Sequence, residues 1–557
     1  MDSTRLRPLV LPLLVLGAAL TLFLINLGHP DRIYFDEVYY VNDAREILAN
    51  GVEDGFVVHP PLGKLIIATG IELFGDRSFG WRVMGAVAGA LTVMLAFLIA
   101  RRLFRSNGPA LVAAALLATD GLFFAQARIS MLDIHLAFFV ALGAWLLLVD
   151  HDRTTSRDTD PRPGPRLEID GRRVPARNTL PRRSHWARNL AGIAFGLAIA
   201  TKWSGLFALG GAGLLTVGWE LAHRQRVAGF MLRQWARGAG SVTVGLVLLP
   251  AAAYAASWTP WFLNFEHSYE GAKVCADQDP CEVEFDEKVS ALVSFHERIW
   301  RFHDELEVEH NYRARAYTWP VMARPVVYYW ESCSAARASG IPKTEDDGTV
   351  VEPEPCVVAQ GDAGEILAVG NPALWYPFIG AAALVVAGLV RRDRRAAYVA
   401  VFYGAQFVPW LLQTRPLFFF YMAPNVLFMA LGIGYAVTVL NERIRIRVTA
   451  IGAIAGAGAG WLAGTLLGES LALGTPVWPW VGMGMGWLYG AAIGGAVDHR
   501  AERRGGAPLF VPRRGVWVGA IVTLAAMVLF GFFAPVWTGV ALDRDHVELR
   551  WWQRGWI

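Results

Sequence analysis

The chain has 557 residues, 54% hydrophobic and 18% charged, with a formal net charge of +3. Soluble domains carry about 45–50% apolar and about 25% charged residues. Here the charges crowd into short stretches between long uncharged ones. That excludes a single soluble domain, a disordered chain and a fibrous repeat, and points to an all-α chain that crosses a membrane many times.

A helix needs about 20 mostly apolar residues to cross a bilayer. Such runs lie near 8–28, 83–100, 109–125, 132–149, 189–202, 205–221, 238–258, 372–390, 396–413, 417–440, 448–467, 476–497 and 515–537. The runs at 109–125 and 189–202 are short, so about 11–13 transmembrane helices are expected. The first run follows Arg5 and Arg7 as a secretory signal would. Its length and the many spans behind it make it a retained anchor. Residues 60–75 carry Lys64 and Glu72 and read as an interfacial amphipathic helix.

With the N-terminus in the cytoplasm, the inner segments hold 31 of the 51 Lys and Arg residues, as the positive-inside rule requires. Localisation is therefore a multi-pass cell-membrane protein with an extracytoplasmic C-terminus. The Arg-rich insert 150–188 reads as a solvated inner loop that touches anionic membrane lipid; no nucleic-acid partner is expected. The domain reading is a transmembrane module 1–259, an extracytoplasmic loop domain 260–370, a second transmembrane module 371–537 and an extracytoplasmic tail 538–557.

The first outer loop, 29–80, places Asp36 and Glu37 side by side among Tyr34, Phe35, Tyr39 and Tyr40. Acids in the first turn of a helix are one explanation. The other is a partly desolvated carboxylate with raised proton affinity, able to act as a general base. The loop domain 260–370 holds all four cysteines, Cys275, Cys281, Cys333 and Cys356. Disulfides persist on that side of a membrane, and local pairing, Cys275–Cys281 and Cys333–Cys356, is expected. Their spacing fits no zinc pattern, and no metal site is expected. The same domain has an aromatic, His-rich stretch from Phe295 to Tyr329, read as an interfacial belt or a substrate groove.

A third set of ionisable groups lies at the outer ends of spans: Arg82, Asp120, Arg128, Asp133, His135, Lys202 and Arg415. Charges at membrane depth are costly and face a cavity or one another. Cations beside a carboxylate suit a lipid-linked phosphate and an acceptor to be activated; an ion-pair network locking helices is the alternative for any one residue.

The stretches FDEVYYVNDA, HPPLGK, WRVMGAVAG, RISMLDIH, ATKWSGLF, YTWPVMARPVVYYW, VGNPALWY and FFFYMAP, in that order, resemble the protein O-mannosyltransferase family, in its actinobacterial branch, of the GT-C glycosyltransferase class. The resemblance covers roughly residues 10–440 and the tail. It implies inverting transfer of mannose from polyprenyl-phosphate-mannose to Ser/Thr hydroxyls of secreted proteins, on the outer membrane face and with the secretion translocon as a possible neighbour. It implies Asp36 as general base with Glu37 supporting it, and Arg128, Lys202 and Arg415 at the donor phosphate. His59, Asp133 and Tyr39 would shape the site. No cofactor is implied, since the lipid phosphate is the leaving group. Two departures stand out. The loop 260–370 is too short for the larger sugar-binding-like domain of eukaryotic relatives. A Gly/Ala-rich hairpin, 448–497, matches no family motif, and its small-xxx-small pattern suggests close helix packing. Rival readings are a GT-C transferase acting on a lipid or cell-wall glycan, and a multi-pass transporter, which would call for repeats and midplane charges.

Overall fold

The computed structural model describes residues 3–54, 58–158, 166–169, 172–175, 185–227, 239–276, 281–307, 310–333, 343–344, 350–351, 355–442, 446–470, 478–504 and 513–556. Helices α1 (Ser3–Leu24), α2 (Glu37–Asn50), α3 (Leu62–Phe74), α4 (Ser78–Phe104), α5 (Asn107–Ala118), α6 (Gly121–Gln126), α7 (Leu132–Asp158), α8 (Trp186–Thr201) and α9 (Gly205–Val227) make the first half. The thirteen apolar runs fall on helical segments. By length and composition, seven helices among the described residues can cross a membrane, and α1, α5 and α9 contribute shorter apolar stretches. The run 109–125 is broken. Asp120 accepts the Phe123 amide at 3.0 Å and caps a separate helix, α6, so the chain turns there instead of continuing α5.

The bundle is built around the helix Ala423–Asn441, whose residues are buried without interruption from Ala423 to Val439. A helix apolar on all sides has no solvent face to offer, and burial at the centre follows. By contrast, only 17% of the apolar windows of Ala239–Ser257 and Arg514–Phe533 is covered by protein, which leaves those helices to face lipid. α3 packs along α2 and α4 as a short helix outside the spans. Residues 159–165, 170–171 and 176–184 of the insert 150–188 lie outside the described residues; within it, Arg166–Ile169 pairs antiparallel with Arg172–Pro175.

The C-terminal tail is joined to the loop domain. Val326–Ser332 pairs antiparallel with Asp362–Ala368, and Leu542–Asp543 adds a third strand. Buried Trp556 donates its indole N–H to the Met322 carbonyl at 2.7 Å, and Trp551 donates to Glu365 at 3.0 Å. The tail and the loop are therefore one small layer. The disulfides in this layer join Cys275 to Cys281 and Cys333 to Cys356.

The hairpin of Arg447–Ser470 and Trp478–Arg503 packs backbone against backbone. A side chain at Gly452, Gly456 or Gly460 would collide with the carbonyl oxygens of Gly490, Gly486 or Gly482. The pair docks on the bundle's edge through Ala453 and Ala491 against Ala383. Its tip, 471–477, lies outside the described residues.

Candidate active site

The site begins where α1 ends. The chain turns through residues 25–36 and enters α2, and two buried arginines hold the turn. Arg128 donates to the carbonyls of Phe23 (2.8 Å), Ile25 (2.7 Å) and Asn26 (2.9 Å). A helix leaves its last carbonyls without partners, and a cation there also answers the dipole. Arg82, fully buried, donates to the carbonyls of Pro30 (2.8 Å) and Arg32 (2.7 Å) and grips Glu37 through two bonds of 2.8 and 3.0 Å. Glu37 also accepts the Ser130 amide at 3.0 Å. Its carboxylate is committed on all sides.

The adjacent Asp36 is placed quite differently. It occupies the N-cap position of α2 but makes no capping bond, and its side chain has no hydrogen bond or ion pair among the described residues. Phe35 before it adopts a left-handed backbone (φ 53°), a conformation uncommon for a bulky residue. Its ring packs on Tyr328 (4.6 Å between centroids) and Phe420 (5.8 Å). That packing over-determines the strained turn and presents Asp36 half-buried. Burial lifts the Asp36 carboxyl to about 6, with Lys202 pulling it down and Asp133 pushing it up.

Asp133 sits in the first turn of α7 and Lys202 just past the last turn of α8. Both placements suit the helix dipoles, and the Lys202 ammonium bonds both Asp133 oxygens at 3.0 Å. An ammonium has three donors, so one remains. It lies over the ring of Tyr421 at 4.8 Å. Arg415 lies 5.7 Å from the same ring and 5.9 Å from Trp410, and has no ion pair among the described residues. Its charge reaches a pair of imidazoles, His59 and His303, whose rings stack at 5.4 Å. Burial first, then Arg415 and Lys202, hold His303 down at about 4. Burial, then Lys202 and His303, hold His59 well below its ordinary value. Both rings are neutral at physiological pH.

The structure therefore gathers Asp36, Asp133, Lys202, Arg415 and His59 at one end of the bundle. Arg128 is engaged elsewhere. Its guanidinium is taken up by the carbonyls of Phe23, Ile25 and Asn26 where α1 ends, bonds that compete with the expected phosphate role. Tyr39 likewise points outward, 43% exposed, whereas the next residue, Tyr40, is buried and senses the charges of Asp36 and Asp133. Two contributors were not singled out as site residues from the sequence. His303 lay within a His-rich stretch too crowded to rank. Tyr421 lay within FFFYMAP and reads as core until Lys202 and Arg415 are seen to flank it. Among the described residues no grouping of three His, Cys, Asp or Glu could hold a metal ion.

Residues 75–266 match the family model described as dolichyl-phosphate-mannose-protein mannosyltransferase, and residues 288–468 match the C-terminal four TMM region of protein-O-mannosyltransferase. A polyprenol-phosphate-mannose–protein mannosyltransferase of Mycolicibacterium smegmatis is 33% identical over 437 residues, 75% of this chain and 79% of that protein. One of the same name from Corynebacterium glutamicum is 30% identical over 427 residues, 72% and 76% of the two chains. The S. cerevisiae protein O-mannosyltransferase Pmt1–Pmt2 complex bound to the sugar donor aligns over 100% of this chain and 94% of that chain. Its TM-score is 0.65 at 14% identity, which shows a shared fold.

Proposed function

As the chain belongs to the dolichyl-phosphate-mannose–protein mannosyltransferase family, we propose that it transfers mannose from polyprenyl-phosphate-mannose to Ser/Thr hydroxyls of secreted proteins at the outer membrane face. The observation that carries the residue assignment is the contrast within the acidic pair. Glu37 is saturated by Arg82 and Ser130, whereas Asp36 has no hydrogen bond or ion pair among the described residues and feels the charge of Lys202. Asp36 takes the proton of the acceptor hydroxyl. The oxygen attacks the anomeric carbon, the carbon–oxygen bond to phosphate breaks, and its electron pair leaves on polyprenyl phosphate. Attack opposite the leaving group inverts the anomeric centre. Arg415, together with the remaining donor of Lys202, offsets the charge that grows on the phosphate. Neutral His59 and His303 offer hydrogen bonds without adding charge. The lipid phosphate is itself the leaving group, so the proposed reaction calls for no further cofactor.

The orientation we infer rests on the charge pattern: basic segments inside, the Asp36 end and the C-terminal tail outside, and acceptors met as they emerge from the secretion machinery. The test is transfer of labelled mannose from polyprenyl-phosphate-mannose to a Ser/Thr-rich peptide, run beside lipid and glycan acceptors, with Asp36→Asn as control. Transfer confined to lipid or glycan would overturn the protein-acceptor assignment.

A further inference from the structure

The end of the bundle away from Asp36 carries a second charged concavity. Arg82 and Arg102 lie on the same helix, α4, about 30 Å apart at the helical rise per residue. At the far end a cavity of about 860 Å³ opens between the ends of α4, α7 and α9 and the start of the helix Arg394–Leu411. Its rim holds Arg102, Arg105, Arg153, Arg394 and Arg395 against two carboxylates, Asp152 and Glu442. Those carboxylates are taken: Asp152 by Arg102 at 3.0 Å, and Glu442 by Arg395 at 2.6 Å. Arg153 stacks on Trp186 at 5.2 Å. Arg105 and Arg394 have no hydrogen bond or ion pair among the described residues, and both are exposed. The floor is different in kind. Leu103, Phe104, Leu148 and Tyr398 line it, with Trp219 stacked on His151 at 4.0 Å.

A small soluble anion would be served by the rim alone. A cationic rim over an apolar floor, at the level where helices leave the membrane, suits a phosphate that carries an apolar tail. Guanidinium forks bond phosphate oxygens two at a time. We propose that this cleft is a binding site for a phosphate-bearing headgroup, held chiefly by Arg105 and Arg394 with Arg102 and Arg395 beside them. It is separate from the donor phosphate at the Asp36 end and does not depend on the assignment of that site.

The test is native mass spectrometry of the full chain released from nanodiscs of phosphatidylcholine with phosphatidylglycerol. The wild type should retain the anionic lipid in preference, and R105Q/R394Q should lose that preference by about tenfold, as expected for lost charge-assisted bonds. R500Q/R503Q, which removes the same charge from the hairpin's last turn, should keep it. Competing polyprenyl phosphate or inorganic phosphate, added separately, tells a lipid-linked headgroup from a free phosphate; displacement by either supports the site. No preference in the wild type, an equal loss in both double variants, or no displacement by any phosphate would overturn the proposal. Mannosyl transfer is expected to be unchanged in both variants.

Discussion

Two groups, each of one carboxylate and two cations, lie near the entry to α2 and are bonded in opposite ways. Glu37, Arg82 and Arg128 are buried, and their bonds run between Glu37 and Arg82, to backbone carbonyls of residues 23–32, and from the Ser130 and Tyr34 amides to Glu37. Asp36, Lys202 and Arg415 lie beside them with bonding capacity left over. The first group is expensive to bury and is compensated by saturation; it fixes the turn. The second is held in place by rings and helix ends, and under the proposed function its unused capacity serves the substrates. The lesson is that charge and depth alone do not mark chemistry in a membrane enzyme. Unspent hydrogen-bonding capacity is what separates the second group from the first.

The strongest way to break this comparison is Asp36→Asn. Loss of a general base costs about 10²–10⁴-fold, so mannosyl transfer should fall by that range while the fold is kept. Burial raises the Asp36 carboxyl to about 6, so the folded state favours its neutral form, and that stabilisation is lost as pH rises through about 6. At pH 7.5 the amide therefore should not lower the melting temperature. The same shift makes wild-type transfer fall as pH drops below about 6, where the base becomes protonated. A D36N enzyme with full activity, or one that melts well below the wild type, would dissolve the distinction between the two groups.

Arg415→Gln is next. Removing a donor aimed at developing charge costs about 10²–10³-fold in turnover, and here no ion pair is broken with it. Activity should collapse with little change in melting temperature. Glu37→Gln should show the reverse pattern. It leaves the fully buried Arg82 without a countercharge, a loss of about 3–5 kcal/mol, read as a lower melting temperature and a low yield of folded protein. Per folded molecule, donor binding should survive. If E37Q instead folds normally and is inactive, Glu37 belongs with the reacting group.

Much of this was legible in the sequence. The acidic pair among aromatics, the cations at span ends, the thirteen apolar runs and the Gly-rich hairpin all carry local signals. What was not legible depended on partners that leave no trace in a side-chain pattern. Arg128 binds carbonyls about 100 positions away, and any sequence presents carbonyls there. The choice between Tyr39 and Tyr40 depends on the phase of α2, which a strained turn at Phe35 sets. The tail's place in the three-stranded sheet rests on a two-residue strand, too short for any periodicity to reveal.

Arg128→Ala is the smallest effect and the sharpest test of the division. If Arg128 were part of the phosphate site, its loss would cut transfer as Arg415→Gln does. The structure gives it three carbonyls at the end of α1 instead. Leaving buried acceptors unsatisfied costs about 1–3 kcal/mol, because water cannot readily replace the guanidinium at a site where Arg128 is only 5% exposed. The expected outcome is a modest drop in melting temperature with turnover per folded enzyme, and the KM for the lipid donor, within about threefold of wild type. Arg128→Lys should recover only part of the lost stability, since an ammonium cannot span three carbonyls from one fixed plane. A raised donor KM at normal stability would return Arg128 to the phosphate and redraw the boundary between the two groups.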